Sequence, residues 1–404
     1  MFSRLFFKRY REMNEQVLQQ MFALLRIGAC GEKETQDIAY ERYPELLPAL
    51  YTLSKAHDLA HLVGYALERL GLLGTDEISA KFQKQQMMAI YRYQRLQYEL
   101  EALCAVLERA SIPFIPLKGA VIRAYYPQPW MRTSCDIDVL VRWEDLDTAV
   151  EWLSRELAYE LKVRGSHDVS LYTQGNVHVE LHYDLVEDDR ANNARTILSE
   201  VWQHAEACEG YAYRKCLSEE FFCFYHIVHM AKHFEVGGCG VRPFLDLWLL
   251  RHVAKMQRLE QNTLLKRGSL EQFTDASLRL AEMWFGEAAE ADPLCEQMQA
   301  YLLRGGVYGS MENRVAIRQK KQGGRIGYLL SRIFLPYDVL RFRYPNLQKH
   351  RWLYPFYQVC RWFEMIFRGG LKRSARELRY NGAIPAEQAE LTGKLLVDLG
   401  LTEE

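Results

Sequence analysis

The sequence predicts an α+β chain: a small mixed or antiparallel sheet with helices at about residues 111–186, flanked on both sides by helical regions. Two short runs carry the sheet. Asp136-Ile137-Asp138-Val139-Leu140-Val141 and Val177-His178-Val179-Glu180-Leu181-His182-Tyr183 alternate with the period of two that marks a strand with one buried face. The third observation is helical spacing on either side. Apolar residues from Leu46 to Leu70 and from Ile78 to Ala110 recur close to every 3.6 positions, and the chain from Leu217 onward reads the same way. We divide it into an N-terminal helical region (1–110), a core (111–200), a second helical region (201–310) and a basic, aromatic, helical C-terminal region (311–404).

In chain order, Tyr10 to Ile27 and Pro44 to Leu73 read as helical, the latter closed by Gly71 and Gly74, and Thr75 is a candidate cap for the long helix Ile78–Ala110. Pro113 to Leu117 reads as a buried strand broken at Lys118-Gly119, and Ala120 to Tyr126 as a short helix. Trp143 to Leu157 suits a helix whose acidic first turn matches the macrodipole. Tyr159–Val163 and Val169–Thr173 are strands, and Gly175-Asn176 is a two-residue hairpin turn into the 177–183 run. Ser218-Glu219-Glu220 opens a helix over Phe221–Phe234, Pro243 starts another to Val253, and helices fit Leu270–Trp284 and Asp292–Leu303. Residues 304–324, with five glycines, read as looser.

The 404 residues are 49% hydrophobic and carry a net charge of −1, so the core is large and the whole molecule is no polyelectrolyte binder. Nine scattered cysteines with no Cys-x-x-Cys pair match neither a zinc ribbon nor a disulfide framework and fit a reducing cytoplasm. Phe2–Phe7 is too short and too basic in its surroundings for a signal-peptide core, and no run approaches the roughly 18–20 apolar residues of a membrane span. The expected localisation is cytoplasmic. P-loop, Rossmann and Gly-x-Ser-x-Gly motifs are missing.

Asp136 and Asp138 share one strand face, roughly 6–7 Å apart at the α-carbon by strand rise. Two carboxylates that close call for a metal, a basic partner or a shared proton; alone, the pair also fits a solvated strand edge. Gly119 lets backbone approach an anion at a helix start, and Lys118 and Arg132 are candidate phosphate contacts. Lys118 equally suits a structural role under the turn, and Arg132 a pairing with Asp136 that holds the loop. His178, Glu180 and His182 share a face of the later strand.

Leu117-Lys118-Gly119, then Arg132, then Asp136-Ile137-Asp138-Val139-Leu140-Val141 resembles a bacterial uncharacterised nucleotidyltransferase family within the DNA polymerase β-like superfamily. The resemblance implies a polymerase β-like nucleotidyltransferase core and transfer of an NMP group from an NTP to a hydroxyl acceptor, whether protein, RNA or small molecule, with Mg²⁺ (or Mn²⁺). It makes Asp136, Asp138 and Glu180 the catalytic and metal-holding residues, with Asp168 and Asp184 as rivals for the third acid. Ala120 stands where the wider superfamily has serine, which keeps open a nucleotide-binding or assembly protein without turnover. Histidine in the 221–234 helix and Arg-x-x-x-Asp-Leu in the next also match the family, making His182, His229, Arg242 and Asp246 candidates for acceptor or nucleotide contacts.

Two features have competing readings. His226, His229 and His233 share a helix face, but Asp246 would have to reach them from the next helix, so they fit packing beside the cleft better than a metal site. From Arg314 to Arg379 the chain has 16 Lys or Arg against 3 acids, interleaved with aromatics. This fits a nucleic-acid or membrane-surface patch. The favoured reading is a helical layer that packs its aromatics inward.

Overall fold

The computed structural model describes residues 2–32, 43–186, 193–256, 262–286, 292–307, 309–344, 346–367, 381–382 and 384–402. Residues 368–380 of the basic stretch lie outside the described residues. The chain forms two compact units, Met1–Met230 with Val241–Cys295, and Ala231–Gly240 with Glu296–Glu404. The class is α+β, with one mixed five-stranded sheet and helical regions before and after it.

The first unit opens with α1 (Phe2–Ala29), α2 (Tyr43–Ala56), α3 (Ala60–Arg69) and α4 (Glu77–Arg109). The periodic run 44–73 is thus two helices, turned at Asp58, whose φ is +55°. Asp76, not Thr75, caps α4, accepting from the backbone N–H groups of Ile78 and Ser79 at 2.9 and 3.1 Å. The chain then runs through β1 (Phe114–Pro116), α5 (Gly119–Ile122), β2 (Asp136–Val141), α6 (Leu146–Leu157), β3 (Glu160–Arg164), β4 (Asp168–Tyr172) and β5 (His178–His182). The sheet order is β1-β2-β5-β4-β3. Only the β2–β5 pair is parallel. Ile137, Val139, Val141, Val179 and Leu181 face a core built with Leu96, Leu100, Leu103 and Leu107 of α4 and Leu146, Ala149 and Leu153 of α6. That burial fixes which side of β2 and β5 is left for polar groups, because a one-residue slip would turn every side chain over.

After α7 (Asn193–Ser199), the short strands β6 (Ala205–Ala207) and β7 (Lys215–Leu217) form a ribbon that the periodicity did not predict. Cys208 and Cys216 are joined there by a disulfide with Cα atoms 5.7 Å apart, a single bridge where the cysteine spacing suggests no disulfide framework; the ribbon, not a short spacing motif, brings them together. α8 (Glu219–Val236), α9 (Arg242–His252), α10 (Thr263–Arg267) and α11 (Glu271–Phe285) follow.

The second unit contains α12 (Pro293–Leu303, from Glu296), α13 (Met311–Lys321), α14 (Arg325–Ile333), α15 (Tyr337–Arg343), α16 (Asn346–Lys349), α17 (Tyr354–Phe367) and α18 (Ala386–Asp398). The looser stretch expected at 304–324 contains α13, which Ser310 caps by accepting from the Asn313 N–H at 2.9 Å. Among the described residues no helix is long and apolar enough to cross a membrane.

Candidate active site

The parallel pairing of β2 with β5 assembles the acids. Asp136 stands opposite His178, Asp138 opposite Glu180, and Leu140 opposite His182. Because the register is in step and side chains alternate, two aspartates and a His-x-Glu-x-His set share one face of adjacent strands. The opposite face is the core already described, so this polar set is the outward consequence of the apolar one.

At the centre, Asp138 is buried and doubly held. Lys118 Nζ lies 3.2 Å and His182 Nε2 3.0 Å from its Oδ1. His182 Nε2 is also 3.4 Å from Glu180 Oε2, and His178 Nδ1 is 3.7 Å from Glu180 Oε1. Burial alone would raise the Asp138 carboxyl, but Lys118 and His182 outweigh it and hold it well below the usual range. Asp136 has no such partner; burial first, and then repulsion from Asp138 and Glu180, raise it to about 6. Burial works against the charged forms of Lys118 and His182, but neighbours prevail and both are raised, Lys118 by Tyr225 and Asp138, His182 by Asp138 and Glu180. The Tyr225 phenol, buried on α8 and hydrogen-bonded to Lys118, is pushed up to about 12, chiefly by burial.

Two ligand sets fit a divalent cation. Asp136, His178 and Glu180 form one, and Asp138, Glu180 and His182 the other, each with ligand atoms within 4.8 Å of one another. Glu180 belongs to both. Carboxylate oxygens suit Mg²⁺, and imidazoles widen the choice toward Mn²⁺. Of the rival third acids, Asp184 Oδ1 accepts from the Val186 N–H at 3.0 Å, and Asp168 sits 3.6 Å from His167 Nε2. Neither joins the two ligand sets.

Lys118 connects β1 to α5 with φ +43°, a conformation costly for a residue with a Cβ. The Leu117 N–H donates to Asp138 O at 3.0 Å, tying this turn to β2. A Cβ at Gly119 would stand 3.5 Å from Arg132 Nη1 and from Ser134 Oγ, which is ordinary contact. Ala120 packs against the hydrophobic core, and the nearby hydroxyl is that of Ser134, which accepts from Arg123 Nη2 at 3.1 Å.

The loop between α5 and β2 is pinned by charges from distant helices. Arg132 grips Asp246 of α9 through Nε at 2.9 Å to Oδ1 and Nη2 at 2.9 Å to Oδ2, while the Tyr126 hydroxyl donates to Asp246 at 2.8 Å. Asp246 is wholly buried; burial would raise its carboxyl, but Arg132 and other cations hold it low. Arg242 Nη1 meets Asp58 Oδ2 at 3.0 Å and Thr133 Oγ1 at 3.0 Å, and Thr133 itself donates to Asp58. His61 Nε2 lies 2.8 Å from Met131 O. His226 Nε2 lies 3.3 Å from Pro243 O, and His229 is half-buried on α8. The candidates therefore fall into two sets: Lys118, Asp136, Asp138, Glu180 and His182 converge, whereas Arg132, Arg242 and Asp246 engage in the loop's support.

Sequence reading did not single out Tyr225, Asp58, Tyr126 or Ser134. Tyr126 and Ser134 lie inside the motif-bearing stretch and are within reach of local inspection. Asp58 and Tyr225 come from remote helices, and no spacing rule points to them. Against known proteins, a family model described as an uncharacterised nucleotidyltransferase matches residues 45–286. No curated protein and no solved structure matches the chain.

Proposed function

The chain belongs to the family of uncharacterised nucleotidyltransferases, and from that premise we propose that it transfers an NMP group from an NTP to a hydroxyl of a protein, RNA or small molecule, using Mg²⁺ (or Mn²⁺) held by Asp136, Asp138 and Glu180. The observation that supports this most directly is the in-step parallel register that sets Asp138 beside Glu180 and Asp136 beside His178.

In the reaction the acceptor oxygen bonds to the α-phosphorus, the bond from that phosphorus to the bridging oxygen breaks, and pyrophosphate departs with the bridging oxygen. The bound cation supplies neutralisation of phosphate charge and eases ionisation of the hydroxyl. Glu180, common to both ligand sets, takes the hydroxyl proton. Lys118, 3.2 Å from Asp138, neutralises phosphate charge beside the acids. Gly119 backbone and the Ser134 hydroxyl line the turn on which phosphate would rest. Arg132, Arg242 and Asp246 act as positioning residues, holding the loop that carries Ser134 into β2. His182 orients Asp138 and Glu180 and joins the cation set, and His229 of α8 remains a candidate for acceptor or nucleotide contact.

A second reading, a nucleotide-binding or assembly protein without turnover, rests on Ala120 standing where the wider superfamily has serine. The experiment is to incubate the protein with each α-labelled NTP and Mg²⁺ or Mn²⁺, following pyrophosphate and labelled protein or RNA. Metal-dependent pyrophosphate release from at least one NTP is the expected result. Nucleotide binding with no release for any NTP and acceptor tried supports the second reading instead.

A further inference from the structure

We infer that the second unit carries a docking face for anionic lipid membranes, formed by α14 and α17 beyond the stretch matched by the family. Nine large apolar side chains between Ile326 and Phe363 stand more than a third exposed. On α14 these are Ile326, Leu330 and Ile333, with Phe334 directly after, one above another on a single helix face. On α17, Phe356, Val359 and Phe363 do the same, and Trp352, 77% exposed, precedes them.

The inner face of α17 is fixed by hydrogen bonds. Ile333 O accepts from Arg361 Nη2 and Trp362 Nε1 at 2.5 and 2.8 Å, and Leu335 O accepts from the Tyr354 hydroxyl and Gln358 Nε2 at 2.5 and 2.6 Å. Phe334 packs edge-on against Trp362 with centroids 5.7 Å apart, which joins the end of α14 to α17. At about 100° per residue, Phe356, Val359 and Phe363 fall on the side of α17 opposite this seam. The expectation of a layer with its aromatics turned inward therefore holds for Tyr328, which is buried, and fails for this outer face.

An apolar face of this extent marks a surface that something covers. Charge selects the occupant. Residues 314–379 carry 16 Lys or Arg against 3 acids in a chain of net charge −1, so the rest of the chain carries −14. Arg318, Lys320, Lys321, Arg325, Lys349 and Arg351 are exposed. Exposed apolar helix faces in a cationic segment match an anionic bilayer surface, where rings and branched chains enter the headgroup boundary and the arginines and lysines meet lipid phosphates. The branched side chains Ile326, Leu330, Ile333 and Val359 have no ring to stack on bases, which disfavours nucleic acid as the occupant. The cationic excess also disfavours a second copy of the same face.

The test is flotation of the full chain with vesicles of phosphatidylcholine plus phosphatidylserine, against phosphatidylcholine alone. The protein is expected to float with the anionic vesicles, less so as salt rises, with a blue shift of Trp fluorescence that Trp352→Phe diminishes. Leu330→Glu with Phe356→Glu should weaken this by roughly tenfold or more. Both positions are exposed, and an unchanged melting temperature checks that the variant is folded. Failure to float with anionic vesicles overturns the inference. So does a monomer–dimer equilibrium in ultracentrifugation, or RNA binding, that the double substitution abolishes while flotation persists. None of these readouts requires nucleotide, so their outcome is separate from that of nucleotidyl transfer.

Discussion

Asp136 and Asp138 are one residue apart and have opposite electrostatic histories. Asp138 has Lys118 and His182 within 3.2 Å, whereas Asp136 has burial and like charge around it. The two should therefore respond oppositely to neutralisation. Asp138→Asn strands the largely buried Lys118 cation and is expected to destabilise the fold by about 3–5 kcal/mol, the usual cost of removing one partner of a buried pair, measured by urea unfolding. Asp136→Asn relieves repulsion and is expected to raise the melting temperature at pH 7. The sign follows from linkage. The Asp136 carboxyl is raised to about 6 in the folded state from its ordinary value of 3.8, so ionisation costs the native state more than the unfolded one. Its protonated form is compatible with the fold at low pH, and stability is lost as pH rises from about 4 to about 6. The melting-temperature gain of Asp136→Asn over the parent should grow across that window and level off above it. A gain that is flat with pH would place the repulsion elsewhere. Asp138, held low, contributes in the opposite sense, its stability being lost only as pH falls below the unfolded value.

At the scale of elements, the loop before β2 depends on α9. Arg132 and Asp246 are paired in two places at 2.9 Å across 114 residues of sequence, with both side chains nearly or wholly buried. Asp246→Asn is expected to cost about 3–5 kcal/mol, because it leaves a buried guanidinium without its counterion. Tyr126→Phe should cost about 1 kcal/mol, the worth of one hydrogen bond. Equal small losses by chemical denaturation would mean that the loop is held by packing instead. The same pairing marks the limit of what the sequence discloses. The strands 136–141 and 177–183 are legible because alternation is a local property, and the acids on them follow at once. The partner of Arg132 is a tertiary choice: Asp136, four residues away, is as good a candidate on sequence grounds as Asp246. The left-handed backbone at Lys118, the reach of Asp58 to Arg242 and the approach of Tyr225 to Lys118 arise for the same reason from packing among remote elements. The two-stranded ribbon at 205–217 is missed because three-residue strands carry too few positions for a period.

For the whole molecule, sequence and structure separate two kinds of equipment. The stretch matched by the family ends at residue 286 and contains every candidate catalytic acid. The cationic, apolar-faced helices come after it. We propose that three carboxylates from two parallel strands perform nucleotidyl transfer, and Glu180 is the most direct place to test this. It is common to both ligand sets, while Asp136 and Asp138 can still hold a cation–triphosphate complex without it. The deciding measurement is NTP affinity by calorimetry alongside pyrophosphate release for the parent and Glu180→Gln, with the same NTP and Mg²⁺. Glu180→Gln is expected to keep most of the affinity and lose release by about 10²-fold or more, the scale of general-base catalysis. Release at near-parent rates from Glu180→Gln would contradict it.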